Sequence, residues 1–267
     1  MKPYVSLLRV RFLNGLQYRA AALGGLATQA FWGMMLVFIY QAFYSGADSV
    51  GGFAYRDFVS FTWLQQAFLS FFFLYDYDGE LLGMITTGGI SYELCRPVSI
   101  YPIWFVKLLS KRLAMAALRA GPVLLIGAIM PYPYNLSLPQ SLTSFALFAV
   151  TMLLGLALLT AIIMMVYISI FKTMSPIGSI GILSIIGEFF SGSTIPIPFM
   201  PKWLQDVCYA MPFRWTSDLP LRAYTGNIAT NEALVGIAAQ AAWIAALVTL
   251  GAYCMKKITR LAVVQGG

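Results

Sequence analysis

The strongest constraint on this chain is a run of 52 residues without a charge, between Arg119 and Lys172. A transmembrane helix needs about 20 apolar residues to cross a hydrocarbon core of about 30 Å, so the run is long enough for two spans. Its middle part, residues 131–139, contains three prolines, which a continuous helix does not tolerate. The run therefore predicts two membrane-spanning helices joined by a proline-rich connection.

The composition excludes most other classes of protein. Of the 267 residues, 60% are hydrophobic and 10% are charged, whereas a soluble domain has about 25% charged residues. The absence of histidine excludes Ser-His-Asp and Cys-His catalysis and histidine metal sites. The three cysteines are far apart and form no CxxC pair, so the sequence predicts neither a metal site nor a redox motif.

Uncharged stretches predict six spans, at about 22–44, 57–75, 103–130, 141–171, 176–195 and 233–255. We therefore expect an all-α polytopic membrane protein with six transmembrane helices, forming a single transmembrane domain over residues 1–267. Spans one and two lie in 22–75 and spans three to five in 103–195, with a loop segment at 76–100, an outer segment at 196–232 and a tail at 256–267. The first apolar run is too long for a signal peptide, and five spans follow it, so we expect an uncleaved anchor.

Residues 1–20 precede the first span and carry an apolar stripe. Val5, Leu8, Phe12 and Leu16 recur at helical spacing, which predicts an amphipathic helix lying on the membrane surface. The alternative is an irregular start to the first span.

The basic residues predict the orientation of the chain. Twelve Lys and Arg residues fall on the side of the termini and four on the opposite side. Because cytoplasmic loops carry the excess of Lys and Arg, both termini are expected in the cytoplasm. The basic excess is then a topology signal, and we expect the lipid bilayer, not nucleic acid, to be the partner.

The loop between spans two and three, residues 76–97, contains four of the ten acidic residues. Closely spaced apolar residues follow the first acidic residues of this loop. They predict a short amphipathic helix with an exposed apolar face, which is typical of a docking element for a cytosolic partner. The candidate docking residues are Asp78, Glu80, Leu81, Leu82, Met84, Ile85, Glu93 and Arg96. The alternative is a loop that merely lies on the membrane.

Two further features stand out within the apolar sequence. Prolines repeatedly interrupt the apolar segment around Trp203, which predicts short re-entrant or interfacial helices at the outer leaflet, or else a simple aromatic anchor. Arg119 and Glu188 lie within predicted spans, where charges are costly and often line a pathway. For Arg119 the alternative is that its side chain reaches back to the inner headgroups.

Catalytic and nucleotide-binding patterns are missing from the sequence. It contains no G-x-x-x-x-G-K-[ST] motif, so the chain is not expected to bind a nucleotide in a P-loop. We expect no catalytic residue and no metal ligand.

Two motifs lie in the connections between the six predicted spans, one between spans two and three and the other before span six. The first runs from Gly88-Gly89 to Arg96-Pro97-Val98; the second contains Phe190-Ser-Gly192, Met200 to Leu204, and Met211-Pro212. Over nearly its whole length the chain resembles the permease subunits of the type-2 class of ATP-binding-cassette exporters.

That resemblance implies an assembly of several subunits. Two permeases, identical or related, would surround a central pathway, and cytosolic ATPases would bind ATP and Mg, so that this chain has no cofactor of its own. Segment 76–97 would be the coupling helix, although its glycines leave open which half docks. Segment 190–220 would close the exit, with Arg119, Glu188, Phe190, Pro196, Pro198 and Trp203 as pathway or gate candidates.

The resemblance also implies a location in the bacterial cytoplasmic (inner) membrane. Two other classes remain as alternatives. Buried acidic residues at the midplane of the membrane would favour a secondary transporter. An integral-membrane lipid-modifying enzyme would need polar residues clustered at one interface.

Overall fold

The computed structural model describes residues 2–46 and 49–261, and almost all of their regular structure is helical. The helices are α1 (Lys2–Gly15), α2 (Arg19–Gln41), α3 (Tyr55–Ala67), α4 (Leu69–Phe72), α5 (Gly79–Thr86), α6 (Ile90–Leu94), α7 (Ile100–Ile129), α8 (Leu142–Thr173), α9 (Pro176–Phe190), α10 (Lys202–Ala210), α11 (Arg214–Thr225) and α12 (Thr230–Leu261). Single 3-10 turns lie at Ala42–Tyr44 and Ile197–Phe199, and strands β1 (Ser49–Val50) and β2 (Phe53–Ala54) form an antiparallel hairpin. The predicted all-α membrane class is confirmed.

Within the described residues, four helices are long and apolar enough to cross a membrane. They are Ala22–Tyr44, Ile100–Ile129, Leu142–Thr173 and Thr230–Arg260. The predicted second span is divided at Phe68 into helices of 13 and 4 residues, and the predicted fifth span is a helix of 15 residues. Both are shorter than the roughly 20 residues that a full crossing needs. A count of six spans therefore stays a prediction.

The proline-rich break in the long uncharged run separates α7 from α8. Helix α7 ends at Ile129, and Met130 is extended before Pro131, as expected for a residue that precedes proline. Helix α8 begins after Ser141, whose hydroxyl accepts a hydrogen bond of 3.0 Å from the Ser144 N–H. Because α7 is about 45 Å long at 1.5 Å per residue, this connection lies at the opposite end of α7 from segment 76–97.

Helix α8 is the centre of the packing. In its most apolar part, 67% of the residues are buried inside the protein, mainly by contacts with α11 and α12. Helices α1, α2 and α3 pack along α7 instead. A methyl group on Gly155 of α8 would come within 2.7 Å of the Thr216 carbonyl oxygen on α11. Glycine therefore allows the backbones of these two helices to approach closely.

The first helix packs tightly against α7. A methyl group on Gly15 would lie 2.5 Å from the Ala114 side chain, so the end of α1 touches α7 directly. Val5, Val10 and Leu13 are exposed on the helix surface. Exposed Ser6 and Arg9 lie between them, and the interfacial location of α1 stays a prediction.

Candidate functional site

Segment 76–97 contains two short helices, α5 and α6, held on the bases of α7 and α8. The Asp78 carboxylate accepts hydrogen bonds from the Glu80 N–H at 2.9 Å and the Leu81 N–H at 3.2 Å, and so caps the first turn of α5. The Asp78 N–H in turn donates to the Tyr167 hydroxyl on α8 at 2.6 Å. The start of α5 is thereby attached to the central helix.

The apolar face of α5 points into the protein, which corrects the expectation that it would be exposed. Leu81, Leu82 and Ile85 are buried, and Met84 is partly buried against the same cluster. The cluster includes Trp104 of α7 and side chains from one end of α8. The physical reason is that a helical apolar stripe fits the chain's own core as well as it fits a partner. The exposed aromatic and apolar side chains of the segment are instead Tyr77, before α5, and Tyr92 and Leu94 of α6.

The outward surface of the segment contains Tyr92, Leu94 and Arg96. The Tyr92 side chain is 80% exposed and Leu94 is 40% exposed. Arg96 is also exposed and forms an ion pair of 3.5 Å with Glu93, which is buried. Tyr92 and Leu94 of α6, and Arg96 just after it, are therefore accessible to a docking protein.

Ion pairs connect the segment to α1 and α7. Arg11 of α1 makes two contacts of 2.6 Å with the Glu80 carboxylate. The ammonium of Lys107 lies 3.1 Å from Glu80 and 3.3 Å from Glu93, and its side chain is only 4% exposed. The hydrogen bond from Arg11, together with Lys107, lowers the pKa of Glu80 to about 2. The carboxylate is therefore ionised at any physiological pH.

A second buried cation, Arg112, supports the chain just before α5. Its guanidinium donates to the carbonyl oxygens of Ser70 at 2.6 Å, Phe73 at 2.9 Å and Asp76 at 2.9 Å. These carbonyls lie at and after the end of α4, where a helix leaves acceptors without intrahelical partners. Arg112 was predicted only as a topology charge, and its structural role depends on contacts about 40 residues away.

Arg119 and Glu188 line two different cavities. Arg119 lies on α7 beside a cavity of about 470 Å³ that also borders α1, α2 and the start of α5. Glu188, near the end of α9, lines a cavity of about 140 Å³ together with Gln65 and Gln66 of α3. The Gln65 amide donates to the Ser193 carbonyl at 2.7 Å. The two adjacent glutamines in an apolar stretch were a signal that the sequence prediction did not use.

The other predicted gate residues are spread along the outer segment. Phe190 ends α9 and packs edge-to-face with Phe189, at 5.3 Å between ring centroids. Pro196 and Pro198 flank Ile197 in the 3-10 turn, and Pro196 is buried. Trp203 lies on α10 and is 68% exposed. The structure does not bring these four side chains into one cluster with Glu188.

A buried charge cluster on α11 was missed by the sequence prediction. Asp218 is fully buried between Arg214 at 3.3 Å and Arg222 at 3.6 Å. Arg214 also contacts Glu232 of α12 at 3.2 Å and lies over the ring of Tyr209 at 3.8 Å. The spacing of four residues between Arg214, Asp218 and Arg222 was the available signal.

Residues 30–261 match the family model described as ABC-2 family transporter protein. The chain belongs to the ABC-2 transporter family. No curated protein matches it significantly.

Membership confirms the resemblance on which the functional expectation was based. The chain is a transmembrane permease of an ABC transporter, located in a membrane, and it is a membrane component that is not itself catalytic. Among the described residues, no group of three His, Cys, Asp or Glu side chains is placed to hold a metal ion. The geometry above can therefore be read as that of an ABC-2 permease.

Proposed function

We propose that this ABC-2 permease is the membrane subunit of an ATP-driven exporter and that segment 76–97 couples it to a separate cytosolic ATPase. The observation that supports this is that segment 76–97 is fixed to the rest of the protein on one side and exposes side chains on the other. It is fixed by the Asp78 cap of α5 and by the buried ion pair between Lys107 and Glu93. The outward surface is formed by Tyr92, Leu94 and Arg96.

Coupling requires a docking element that is rigidly attached to the transmembrane helices. A helix that is tied to α7 and α8 by buried contacts passes a displacement on to those helices. Because Leu81, Leu82 and Ile85 are buried, they serve as the attachment to the permease, and α6 is the part that contacts the ATPase. This assigns docking to the second half of the segment.

The remaining parts of the proposal follow from the same assembly. A second permease, identical or related, completes the pathway, and the partner ATPase binds ATP and Mg. Glu188, with Gln65 and Gln66, supplies a polar patch on this pathway. The outer segment, with Phe190, Pro196, Pro198 and Trp203, closes its exit. The assembly lies in a bacterial cytoplasmic membrane, with both termini and segment 76–97 on the cytoplasmic side.

The docking assignment is tested by co-purification. An affinity-tagged permease is expected to retain a P-loop ATPase, detected by mass spectrometry and by ATP hydrolysis, and the permease alone should hydrolyse no ATP. The double variant Tyr92→Asp with Leu94→Asp should lose the ATPase, because two carboxylates replace the exposed apolar contacts.

The matched control is the double variant Tyr132→Asp with Leu138→Asp. These two side chains are also exposed, but they lie at the opposite end of α7. The control should keep the ATPase at the wild-type level. Equal retention of the ATPase by both double variants would show that α6 is not the docking surface.

A further inference from the structure

The cavity beside Arg119 lies between α1, the start of α2, the start of α5 and one face of α7. Its volume is about 470 Å³, within the usual range of about 300–1,000 Å³ for ligand pockets. Lys107, Lys111, Met115 and Arg119 line it from α7. They are spaced four residues apart and therefore share one helix face. Arg11 of α1 faces the same space.

Two glycines shape this cavity. The contact of Gly15 with Ala114 holds the end of α1 against α7 on one side. On the other side, the Arg119 guanidinium lies on the backbone of Gly25, where a methyl group would come within 2.5 Å of its Cζ atom. Lys107, Lys111 and Arg119 thus reach the cavity from the same face of α7.

The lining of the cavity is strongly cationic. Four cations and the carboxylate of Asp78 line it, and that carboxylate is turned toward the backbone N–H groups of α5. Three of the cations are also paired with carboxylates behind the wall, those of Glu80, Glu93 and Asp76. Lys107 contacts Glu80 and Glu93, and Lys111 contacts Asp76 and the Tyr77 carbonyl. An ammonium has three N–H donors, so among the described contacts each lysine keeps one donor for a ligand.

The same ion pairs keep the cations in place. Lys107 is almost fully buried, and Lys111 lies 2.7 Å from Asp76. A cation that is already ordered loses little conformational freedom when an anion binds. Ordered ammonium and guanidinium groups that line one pocket are typical of phosphate recognition.

The rest of the lining is apolar. Ala22, Met115 and Leu118 form part of the wall, together with the ring of Tyr18, and α1 exposes apolar side chains nearby. A small inorganic anion would leave this apolar part unfilled. Basic pockets between transmembrane helices bind the headgroups of anionic lipids. We propose that this cavity binds the phosphate headgroup of an anionic phospholipid from the leaflet next to segment 76–97, through Arg11, Lys107, Lys111 and Arg119.

The test uses the purified permease alone in detergent, so its result does not depend on any ATPase. Phosphatidylglycerol and phosphatidylcholine with identical acyl chains are titrated, and bound lipid is measured by native mass spectrometry. Phosphatidylglycerol should bind about tenfold more tightly than phosphatidylcholine. Two variants should each weaken phosphatidylglycerol binding about tenfold. Met115→Trp fills the cavity without changing a charge, and Arg119→Gln removes one of the four cations that line it.

Two controls accompany these variants. Lys257→Gln removes an exposed cation of α12 outside this cavity and should leave binding within about twofold of wild type. Arg119→Lys keeps the charge and should retain most of the binding. Size-exclusion profiles and helical circular dichroism show that each variant is folded, and Met115→Trp and Arg119→Gln act by independent routes.

The outcomes that overturn the proposal are clear. Unchanged phosphatidylglycerol binding in both Met115→Trp and Arg119→Gln would exclude this cavity as the lipid site. Equal affinity for the two lipids would remove the role of the cations. Displacement of phosphatidylglycerol by an excess of inorganic phosphate would show that the cavity takes a small anion, not a lipid headgroup.

Discussion

The buried carboxylate of Asp218 is expected to contribute strongly to stability. Asp218 is fully buried between two arginines, with Arg214 Nε at 3.3 Å and an Arg222 guanidinium nitrogen at 3.6 Å. The variant Asp218→Asn keeps the shape of the side chain, removes its charge and leaves both guanidiniums with an amide. A matched comparison lies one helix earlier, where Asp206 pairs with Lys202 at 3.2 Å, also four residues apart, but is 60% exposed.

The expected magnitudes differ because the two pairs differ in burial. Removing one partner of a buried ion pair costs about 3–5 kcal/mol. Arg214 keeps Glu232 and the Tyr209 ring as partners, so we expect the lower end, about 3 kcal/mol. An exposed pair four residues apart contributes about 0.5 kcal/mol or less. At about 2–4 °C per kcal/mol for a protein of this size, Asp218→Asn should lower Tm by about 6–12 °C and Asp206→Asn by no more than about 2 °C.

The measurement is thermal unfolding of the purified permease and both variants in one detergent at pH 7, followed by circular dichroism. Buried and exposed pairs are compared within the same outer segment, so detergent effects are shared. If Asp218→Asn lowered Tm no more than Asp206→Asn does, the Arg214–Asp218–Arg222 cluster would not stabilise the outer segment, and the reasoning from burial would be wrong.

Three further predictions concern packing, pH dependence and topology. Gly155→Ala should destabilise the protein by about 1–3 kcal/mol, because the added methyl group has no space against α11. Gly181→Ala, whose methyl group would meet no atom within 4 Å, should stabilise it by about 0.5–1 kcal/mol. Equal Tm values for the two variants would contradict this prediction. The pKa of Glu80 is lowered from 4.5 to about 2, so its stabilising contribution is complete above about pH 4.5 and is lost as the pH falls toward 2. The Tm difference between wild type and Glu80→Gln should therefore persist at pH 5, and its absence there would refute the assignment. A cysteine at the exposed position of Leu138, in a variant with all native cysteines replaced, should react with an impermeant maleimide in intact cells. In a second variant that keeps Cys95, also exposed, as its one cysteine, labelling should occur only after lysis; the reverse pattern would invert the topology.

The long helices were predictable because charge spacing and proline position depend on the local sequence alone. The runs that predicted spans three, four and six correspond to the continuous helices α7, α8 and α12. The break after Ile129 follows from Pro131 and needs no tertiary contact. The shortness of α9 was harder to predict, because its apolar composition continues past Phe190 into the 3-10 turn.

The site was less predictable because its residues act through contacts distant in sequence. Leu81 and Leu82 have the spacing of a docking face, and the same spacing serves a core face, so sequence periodicity does not separate the two. Arg112 binds carbonyl groups about 40 residues away. By contrast, Arg214, Asp218 and Arg222 are spaced four residues apart, a local pattern from which a shared helix face could have been predicted, although the sequence analysis did not use it.

The ion pairs that join segment 76–97 to α1 and α7 are unequal, and under the proposed coupling this inequality would determine which helix follows the segment when it moves. Lys107 and Glu93 are both buried, at 4% and 7% exposure, and separating them would cost about 3–5 kcal/mol. Arg11 and Glu80 are partly exposed, and an exposed pair contributes about 1 kcal/mol or less. Under the proposed coupling, a displacement of α6 would therefore be passed to α7 through Lys107, while the link to α1 would break first. Since α7 also carries Arg119, such a displacement would change the width of the cavity between α7 and α1.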